Sequence, residues 1–284
     1  MTNFNLKRID PVSTTVMGTA ISTILAVVLS VLMLIFMGAT AGASVIGGFA
    51  IVIVSAIFGT IIISVFHFFT KSVLYNFLSE KLGNIGLDLF ENKEIKGFSV
   101  KSTSVVLTVV DTIVFIIYIL VGIFLLQVLF SVLYSIILMV TGNMILAYLM
   151  YQIIMLLNDP VFIIGFIVIY AIITIISYLI SIFLYNNITG KVYGILLKLR
   201  KEDEYTVIDS VNPINTALVL GIIGLIFGII SGVITLFVSF NIVSFIIDVV
   251  SGFLGTFIAV VIVCFLYNFL APKIGKIKVV LDEA

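Results

Sequence analysis

The sequence is poor in the residues on which most catalytic and metal sites depend. It has one cysteine, Cys264, and one histidine, His67, and only 10% of its residues are charged. A single cysteine excludes an intrachain disulfide, and a single histidine excludes a histidine metal cluster. The sequence also has no phosphate-binding P-loop, no Gly-x-Ser-x-Gly elbow, no His-Glu-x-x-His and no Cys-x-x-Cys motif. We therefore predict no cofactor, no metal and no enzymatic activity.

The rest of the composition is typical of an integral membrane protein. Of the 284 residues, 62% are hydrophobic, and the mean hydropathy is +1.39. Soluble proteins average about 25% charged residues, and a soluble domain must cover itself with polar groups. Lys+Arg and Asp+Glu each number 14, so the net charge is zero, which argues against a nucleic-acid partner. The predicted partner is the lipid bilayer.

Six stretches are long and apolar enough to cross a membrane. A bilayer core about 30 Å thick is crossed by about 20 apolar residues in a helix. Stretches of this kind lie at 12–37, 45–69, 103–127, 161–185, 214–240 and 253–270. A further apolar stretch, 129–157, contains Gly142, Asn143 and Gln152. We interpret it as an interfacial or re-entrant excursion, because one more span would break the charge topology.

The basic residues fix the predicted topology. All 14 lie before the first span, between the second and third, between the fourth and fifth, or after the sixth, and the opposite loops carry only Asp159 and Asp248. Loops rich in Lys and Arg stay in the cytoplasm, so we expect a multi-pass protein of a prokaryotic plasma membrane with both termini cytoplasmic. Small residues at 39–43 mimic a signal-peptide cleavage site, but the preceding apolar run is longer than the 7–15 residues of a signal peptide, so we expect no cleavage.

Three 16-residue segments align without gaps, which predicts an internal repeat. They read LYNFLSEKLGNIGLDL, LYNNITGKVYGILLKL and LYNFLAPKIGKIKVVL, and they open with Leu74-Tyr75-Asn76, Leu184-Tyr185-Asn186 and Leu266-Tyr267-Asn268. A polar box precedes the first and fifth spans, as Asp10-Pro11-x-Ser13 and Asn212-Pro213-x-Asn215, whereas the middle copy keeps only Ser102-Thr103-Ser104. The predicted hairpin repeats are 5–89, 97–199 and 205–281, and the middle one holds the 129–157 insertion. Their shared orientation suggests a pseudo-threefold axis along the membrane normal.

These motifs resemble a family of small two-span prokaryotic membrane proteins of unknown function. Its members pair an Asp-Pro-x-Ser box with a late Leu-Tyr-Asn and a Gly-Gly-Ile/Val element. The likeness covers the first repeat well and the third, with Gly275, almost as well. The second repeat lacks the proline and has Tyr193 where the others have Gly83 and Gly275. The resemblance implies a fused triplicate of the two-span module and implies no activity.

The predicted fold is therefore all-α and membrane-spanning, with six helices as three parallel-oriented hairpins and short β elements at the cytoplasmic face. Short β-rich pieces precede each pair of spans at 5–9, 98–101 and 205–208, and follow it at 86–89, 195–199 and 277–281. In Lys276-Ile277-Lys278-Val279, polar and apolar residues alternate, as in a half-buried strand. We hypothesise that the leading and trailing pieces of each hairpin pair at its base; flexible juxtamembrane chain is the alternative.

Small residues form stripes on two spans. The fifth span carries Ala217, Gly221, Gly224, Gly228 and Gly232, and the first span carries Thr15, Thr19, Ser22, Ala26 and Ser30 at the matching places. Small residues allow the close backbone approach that drives helix association in lipid. We predict that these faces pack helices, within or between chains, and a pore lining is the alternative.

Two further sets of residues are candidate sites. The Tyr and Asn of each Leu-Tyr-Asn triplet are expected to anchor and cap a helix at the interface, or else to bind a headgroup or partner. Asp111 is the one acid inside a predicted span, and such acids are functional candidates. Its candidate helpers are Thr108, Thr112 and His67. Asp111 is a proton or cation site in one interpretation and a hydrogen-bonded packing residue in the other.

The preferred function is a non-enzymatic membrane scaffold or assembly module that packs through small-residue helix faces. Its partner is then a second copy or another membrane protein. The alternative is a small-solute or ion conduit that uses Asp111.

Overall fold

The computed structural model describes residues 2–41, 43–91, 93–141, 144–189, 191 and 193–284. Its helices are α1 (Pro11–Ala41), α2 (Ala43–Leu82), α3 (Val100–Ile136), α4 (Met144–Leu157), α5 (Pro160–Leu184), α6 (Pro213–Ser239) and α7 (Ile242–Ile274). All but α4 contain a segment long and apolar enough to span a membrane, which makes six candidate spans in the described part of the chain. The protein is therefore a multi-pass membrane protein.

Six strands accompany the helices: β1 (Thr2–Ile9), β2 (Ile85–Phe90), β3 (Glu94–Phe98), β4 (Ile195–Glu202), β5 (Tyr205–Val211) and β6 (Lys278–Glu283). They form one closed antiparallel barrel in the order β1-β2-β3-β4-β5-β6. The strands that flank one helical hairpin pair with each other, as β1 with β2, β3 with β4, and β5 with β6. Consecutive hairpins are joined by the pairs β2–β3, β4–β5 and β6–β1.

This barrel overturns the predicted fold class. An all-α fold with short β elements is wrong, because the β pieces are joined into one closed sheet and not into separate ribbons. The physical reason is that a two-stranded ribbon leaves two edges of unpaired backbone groups, and closure pairs them all. Several pieces are longer than expected; β4 and β5, for example, run on to a turn at Asp203, which has φ of 52°. The piece predicted at 98–101 is misplaced, because β3 ends at Phe98 and α3 begins at Val100.

The barrel has an apolar interior. Along β2 burial alternates, and the side chains of Ile85, Leu87 and Leu89 are 9% exposed or less. In a closed barrel successive side chains alternate between the inside and the outside, so these three residues share one face. Leu89 lies with Leu199 and Leu281, from two other strands, in a pocket of about 310 Å³ at the ends of the strands.

The chain divides into two compact units. The first consists of Met1–Val106 with Leu179–Ala284, and it contains the whole barrel, the α1–α2 and α6–α7 hairpins, the start of α3 and the end of α5. The second is Leu107–Tyr178, with most of α3, all of α4 and most of α5. The three-hairpin division of the sequence stays a prediction.

The 129–157 stretch is helical where it is described. Helix α3 continues to Ile136, a π-helical turn covers Ile137–Thr141, and α4 follows at Met144–Leu157. Of the polar and small residues noted in this stretch, Gln152 lies within α4, whereas Gly142 and Asn143 lie outside the described residues, as does Gly42 in the mimic of a cleavage site. Asp159 lies between α4 and α5, as expected, whereas Asp248 lies inside α7 and not in a loop.

The glycine stripe of α6 faces α7. A Cβ atom built on Gly224 would lie 2.4 Å from the Gly252 carbonyl oxygen, and one on Gly228 would lie 2.6 Å from the Asp248 carbonyl oxygen. Ala217, Gly221 and Gly232 are buried as well. Because real Cβ atoms are not found this close to a carbonyl oxygen, positions 224 and 228 admit only glycine at the present helix spacing.

We predict that Gly228→Ala destabilises the α6–α7 hairpin by about 1–3 kcal/mol, since the added methyl group overpacks the contact. Thermal unfolding of the detergent-solubilised protein measures the change. Gly255→Ala on α7 is the matched control, because nothing lies within 4 Å of a Cβ at that position. Equal unfolding temperatures for the two variants would show that α6 and α7 are not in close contact.

Candidate functional site

The asparagine of each Leu-Tyr-Asn triplet holds the end of a barrel strand. Its side-chain nitrogen donates to the carbonyl oxygen of the last strand residue, and its side-chain oxygen accepts from the amide of the same residue. All six distances are 2.8–2.9 Å, and the pairs are Asn76 with Ile9, Asn186 with Phe98, and Asn268 with Val211. The side-chain amide of the asparagine therefore satisfies the backbone N–H and C=O groups of the last strand residue, where the chain turns from strand to helix.

The tyrosine of each triplet ties the leading strand of its hairpin to the trailing strand. Its hydroxyl donates to a carbonyl oxygen three residues before the strand end: Tyr75 to Leu6, Tyr185 to Ile95, and Tyr267 to Ile208. The same hydroxyl accepts from the backbone amide ten residues further along the chain, at 3.1 Å from Ile195 and 3.4 Å from Ile277, and Ile85 bonds to Tyr75 in the same way. The three tyrosines are 5% exposed or less. The tyrosine side chains thus lie against the barrel.

A third set of bonds links each hairpin to the one before it. The residue after each leading strand donates its amide, at 2.9 Å, to the trailing strand of the preceding hairpin: Ser99 to Gly86, Asn212 to Leu196, and Asp10 to Lys278. The acceptor stands eleven residues after the triplet tyrosine in each case. The bond from Asp10 joins the first hairpin to the last, and so it closes the ring.

The same three residues begin the leading helices. The Asp10 carboxylate accepts from the Ser13 amide at 2.8 Å, and the Asn212 side chain accepts from the Asn215 amide at 3.1 Å. These are N-cap bonds, followed by proline at the first helical position. The Ser99 hydroxyl accepts from the Gly86 amide at 2.9 Å and contacts the Ser102 hydroxyl. Sequence reasoning missed Ser99, although its offset from Ser102 equals that of Asp10 from Ser13.

An ion cluster stabilises the wall of the barrel. Lys276 donates to the Asp209 carboxylate at 2.7 Å, and Arg200 lies 3.4 Å from the same oxygen. The hydrogen bond from Lys276 and the charge of Arg200 lower the pKa of the Asp209 carboxyl, although desolvation opposes the shift. Because the folded pKa is lowered, this stabilisation is present above the ordinary pKa of aspartate and is lost as the pH falls below it.

Asp111 lies in a polar cluster within the second compact unit. The Tyr178 hydroxyl donates to its Oδ2 atom. Thr108, 7% exposed, and Thr112 each have a buried hydroxyl oxygen without a hydrogen-bond partner. Next to the cluster, the rings of Phe115 and Tyr170 stack at 3.6 Å between centroids. A carboxylate, a phenol and two hydroxyls in apolar surroundings have the chemistry to hold a proton or a small cation.

The other predicted site residues lie elsewhere. His67 belongs to the first compact unit, where its ring meets Phe68 edge-on at 5.3 Å. Thr15 and Thr19 on α1 have buried hydroxyl oxygens without hydrogen-bond partners, and Ser22, Ala26 and Ser30 follow them, partly exposed, on the same helix. Tyr178 was missed because no local pattern links it to Asp111, 67 residues earlier. Within the described residues, no group of three His, Cys, Asp or Glu side chains is placed to hold a metal ion.

No known family model, curated protein or solved structure matches this chain.

We predict that Asn268→Ala destabilises the protein by about 1–3 kcal/mol, because it leaves the Val211 amide and carbonyl without partners. Hydrogen exchange at the Val211 amide is expected to accelerate in the same variant. Asn187→Ala is the matched control, since the bond of the Asn187 side chain to the Phe183 carbonyl, at 2.9 Å, stays within its own helical segment. A Val211 amide as protected as in the wild type would contradict the assigned role.

Proposed function

We propose that the protein is a non-enzymatic membrane scaffold, in which a rigid barrel at the ends of the membrane helices presents a fixed surface to a partner. The observation that carries this proposal is the set of bonds made by the three Leu-Tyr-Asn triplets. Every one of them joins the end of a membrane helix to the barrel backbone. Such bonds hold the barrel in a defined position at the bilayer surface, which is what a docking platform requires.

The interior of the barrel favours the scaffold function over a second function, a conduit that runs through the barrel. Ile85, Leu87 and Leu89 are buried, and Leu89 meets the partly buried Leu199 and Leu281 in a cavity that Arg200, Lys201 and Glu283 also line. A six-stranded barrel is narrower than the eight-stranded barrels whose interior side chains just fill them. The buried apolar side chains of β2 therefore favour a scaffold over a conduit along the barrel axis.

The placement of this scaffold follows from the charge pattern. We infer that the barrel and both termini lie on the cytoplasmic side of a prokaryotic plasma membrane, because the strand-bearing side carries every lysine and arginine. The partner is a second copy of the chain or another membrane protein. The identical bonds of the three triplets also support the origin of the chain as a triplicate of a two-span module.

A second candidate function is an ion or proton conduit centred on Asp111. The observation that favours it is the pair of unpartnered buried hydroxyls, Thr108 and Thr112, beside a carboxylate that accepts from Tyr178. Buried polar groups are normally satisfied by protein or water, so this cluster has free bonding capacity. It would act within the second compact unit and independently of the barrel.

Ion flux in liposomes separates the two functions. The scaffold predicts no flux of protons, alkali cations or chloride above that of empty vesicles, for the wild type and for Asp111→Asn alike. Asp203→Asn is the control, since Asp203 is an exposed turn residue with φ of 52°, a conformation that asparagine tolerates. Flux that is lost in Asp111→Asn and kept in Asp203→Asn would contradict the scaffold proposal and support a conduit centred on Asp111.

Site-specific cross-linking tests the docking surface in the native membrane. A photoreactive residue in place of Asp203, at the far end of the barrel, is expected to give one discrete protein adduct. The same residue in place of Ile62, which is 69% exposed on α2, is expected to react with lipid and give no discrete adduct. Absence of an adduct from Asp203 and from the neighbouring turn residue Glu91 would contradict a platform at this end.

A further inference from the structure

The charged residues of the first compact unit are unevenly distributed between the helix ends that meet the barrel and the strand ends away from the helices. Five lysines lie where the membrane helices meet the barrel, and we refer to them as the lysine collar: Lys71, Lys81, Lys101, Lys191 and Lys273. Lys81 and Lys273 lie in the last turns of α2 and α7, and Lys101 lies in the first turn of α3. Lys71 is half-buried, and the other four lysines of the collar are exposed.

The acids near the collar do not cancel its charge. Asp10 caps α1, Glu80 pairs with Arg8 at 3.3 Å, and Glu94, which accepts from the Gly194 amide, pairs with Lys96 at 2.8 Å. The other end of the barrel is acidic: Glu91, Glu202, Asp203, Glu204, Asp282 and Glu283 lie in its turns and strand ends. Lys93, Arg200 and Lys201 lie in the same turns and strand ends, Arg200 pairs with Glu202 at 2.8 Å, and Lys7 pairs with Asp282. Lysines thus predominate at the helix ends that meet the barrel, and acids outnumber bases in the turns and in the far strand ends.

Two collar lysines are held against aromatic rings. The Lys81 ammonium lies 4.1 Å from the centre of the Phe77 ring, and the Lys273 ammonium lies 3.3 Å from the centre of the Phe269 ring. These phenylalanines are 57% and 50% exposed. Helical side chains lean towards the N-terminus of their helix, which for α2 and α7 is the membrane side. The ammonium groups are therefore lifted towards the headgroups over rings that face lipid.

We propose that the lysine collar binds the headgroups of anionic phospholipids and so seats the barrel on an anionic bilayer surface. Lys81, Lys191 and Lys273 occupy the same place in the three aligned segments, six residues after the tyrosine. They contact the bilayer surface at three points around the barrel. The acidic far end is repelled by the same surface, so the charge distribution favours this one orientation.

The test measures the affinity of the purified protein for phosphatidylglycerol, by native mass spectrometry from phosphatidylcholine nanodiscs with and without that lipid. Each lysine near an anionic surface strengthens binding about fivefold. The triple variant Lys81→Gln/Lys191→Gln/Lys273→Gln is expected to bind phosphatidylglycerol about a hundredfold more weakly. The matched control Lys93→Gln/Lys198→Gln/Lys201→Gln has the same net charge but changes exposed lysines of the barrel strands and turns.

The outcomes separate the proposal from its competitors. Weakened binding in the collar variant alone supports it, as does recovery of binding in the charge-preserving Lys81→Arg/Lys191→Arg/Lys273→Arg variant. Equal losses in the collar and control variants would overturn it, because net charge would then explain the effect. It would also be overturned if the collar variant, shown by its circular dichroism to be folded, bound as tightly as the wild type, or if dissolved inorganic phosphate displaced the lipid at equal concentration.

Discussion

Pairing of every strand edge in the barrel is the constraint on which the rest of the structure depends. The strands are five to eight residues long, and an isolated pair of such strands is marginally stable in water. Closing the ring removes all the edges. Closure requires β1 and β6, which lie at opposite ends of the described chain, to pair with each other. The bond from the Asp10 amide to the Lys278 carbonyl continues this pairing up to the first helix.

The barrel and the helices stabilise each other at their junction. A six-stranded barrel has a small core, and the membrane helices end with backbone groups that need partners. The triplets meet both needs, since the tyrosine ring adds buried apolar area and its hydroxyl bonds to two strands. The asparagine supplies one donor and one acceptor to the strand end. This explains how the same three residue types serve at three places, and it makes the position of the barrel a consequence of the helices.

The sequence predicts the helices well. For the barrel, it predicts the separate β pieces but not the closed sheet that they form. Apolar runs locate six helices because lipid requires them, but they underestimate the length of α2, which continues from 69 to Leu82 alongside the barrel. Alternation in the short β pieces identifies strands, yet it says nothing about their partners, and β1–β6 pairing spans most of the chain. The Leu-Tyr-Asn triplets were found as a repeat, whereas their partners on the strands were not, because those contacts are to backbone atoms that no side-chain pattern reveals. The role of Tyr178 could not be predicted for a similar reason, since its hydrogen bond to Asp111 joins two different helices.

The most direct test of the account is residue-resolved hydrogen exchange of the full-length protein in nanodiscs, comparing β1 and β6 with the inner strands. A closed barrel predicts that the ladder amides of Thr2–Ile9 and Lys278–Glu283 are as strongly protected as those of β4 and β5 and exchange together with them, because they belong to one cooperative unit. Fast exchange in β1 and β6, with protection confined to β2–β3 and β4–β5, would show an open sheet or separate ribbons and would contradict the central claim.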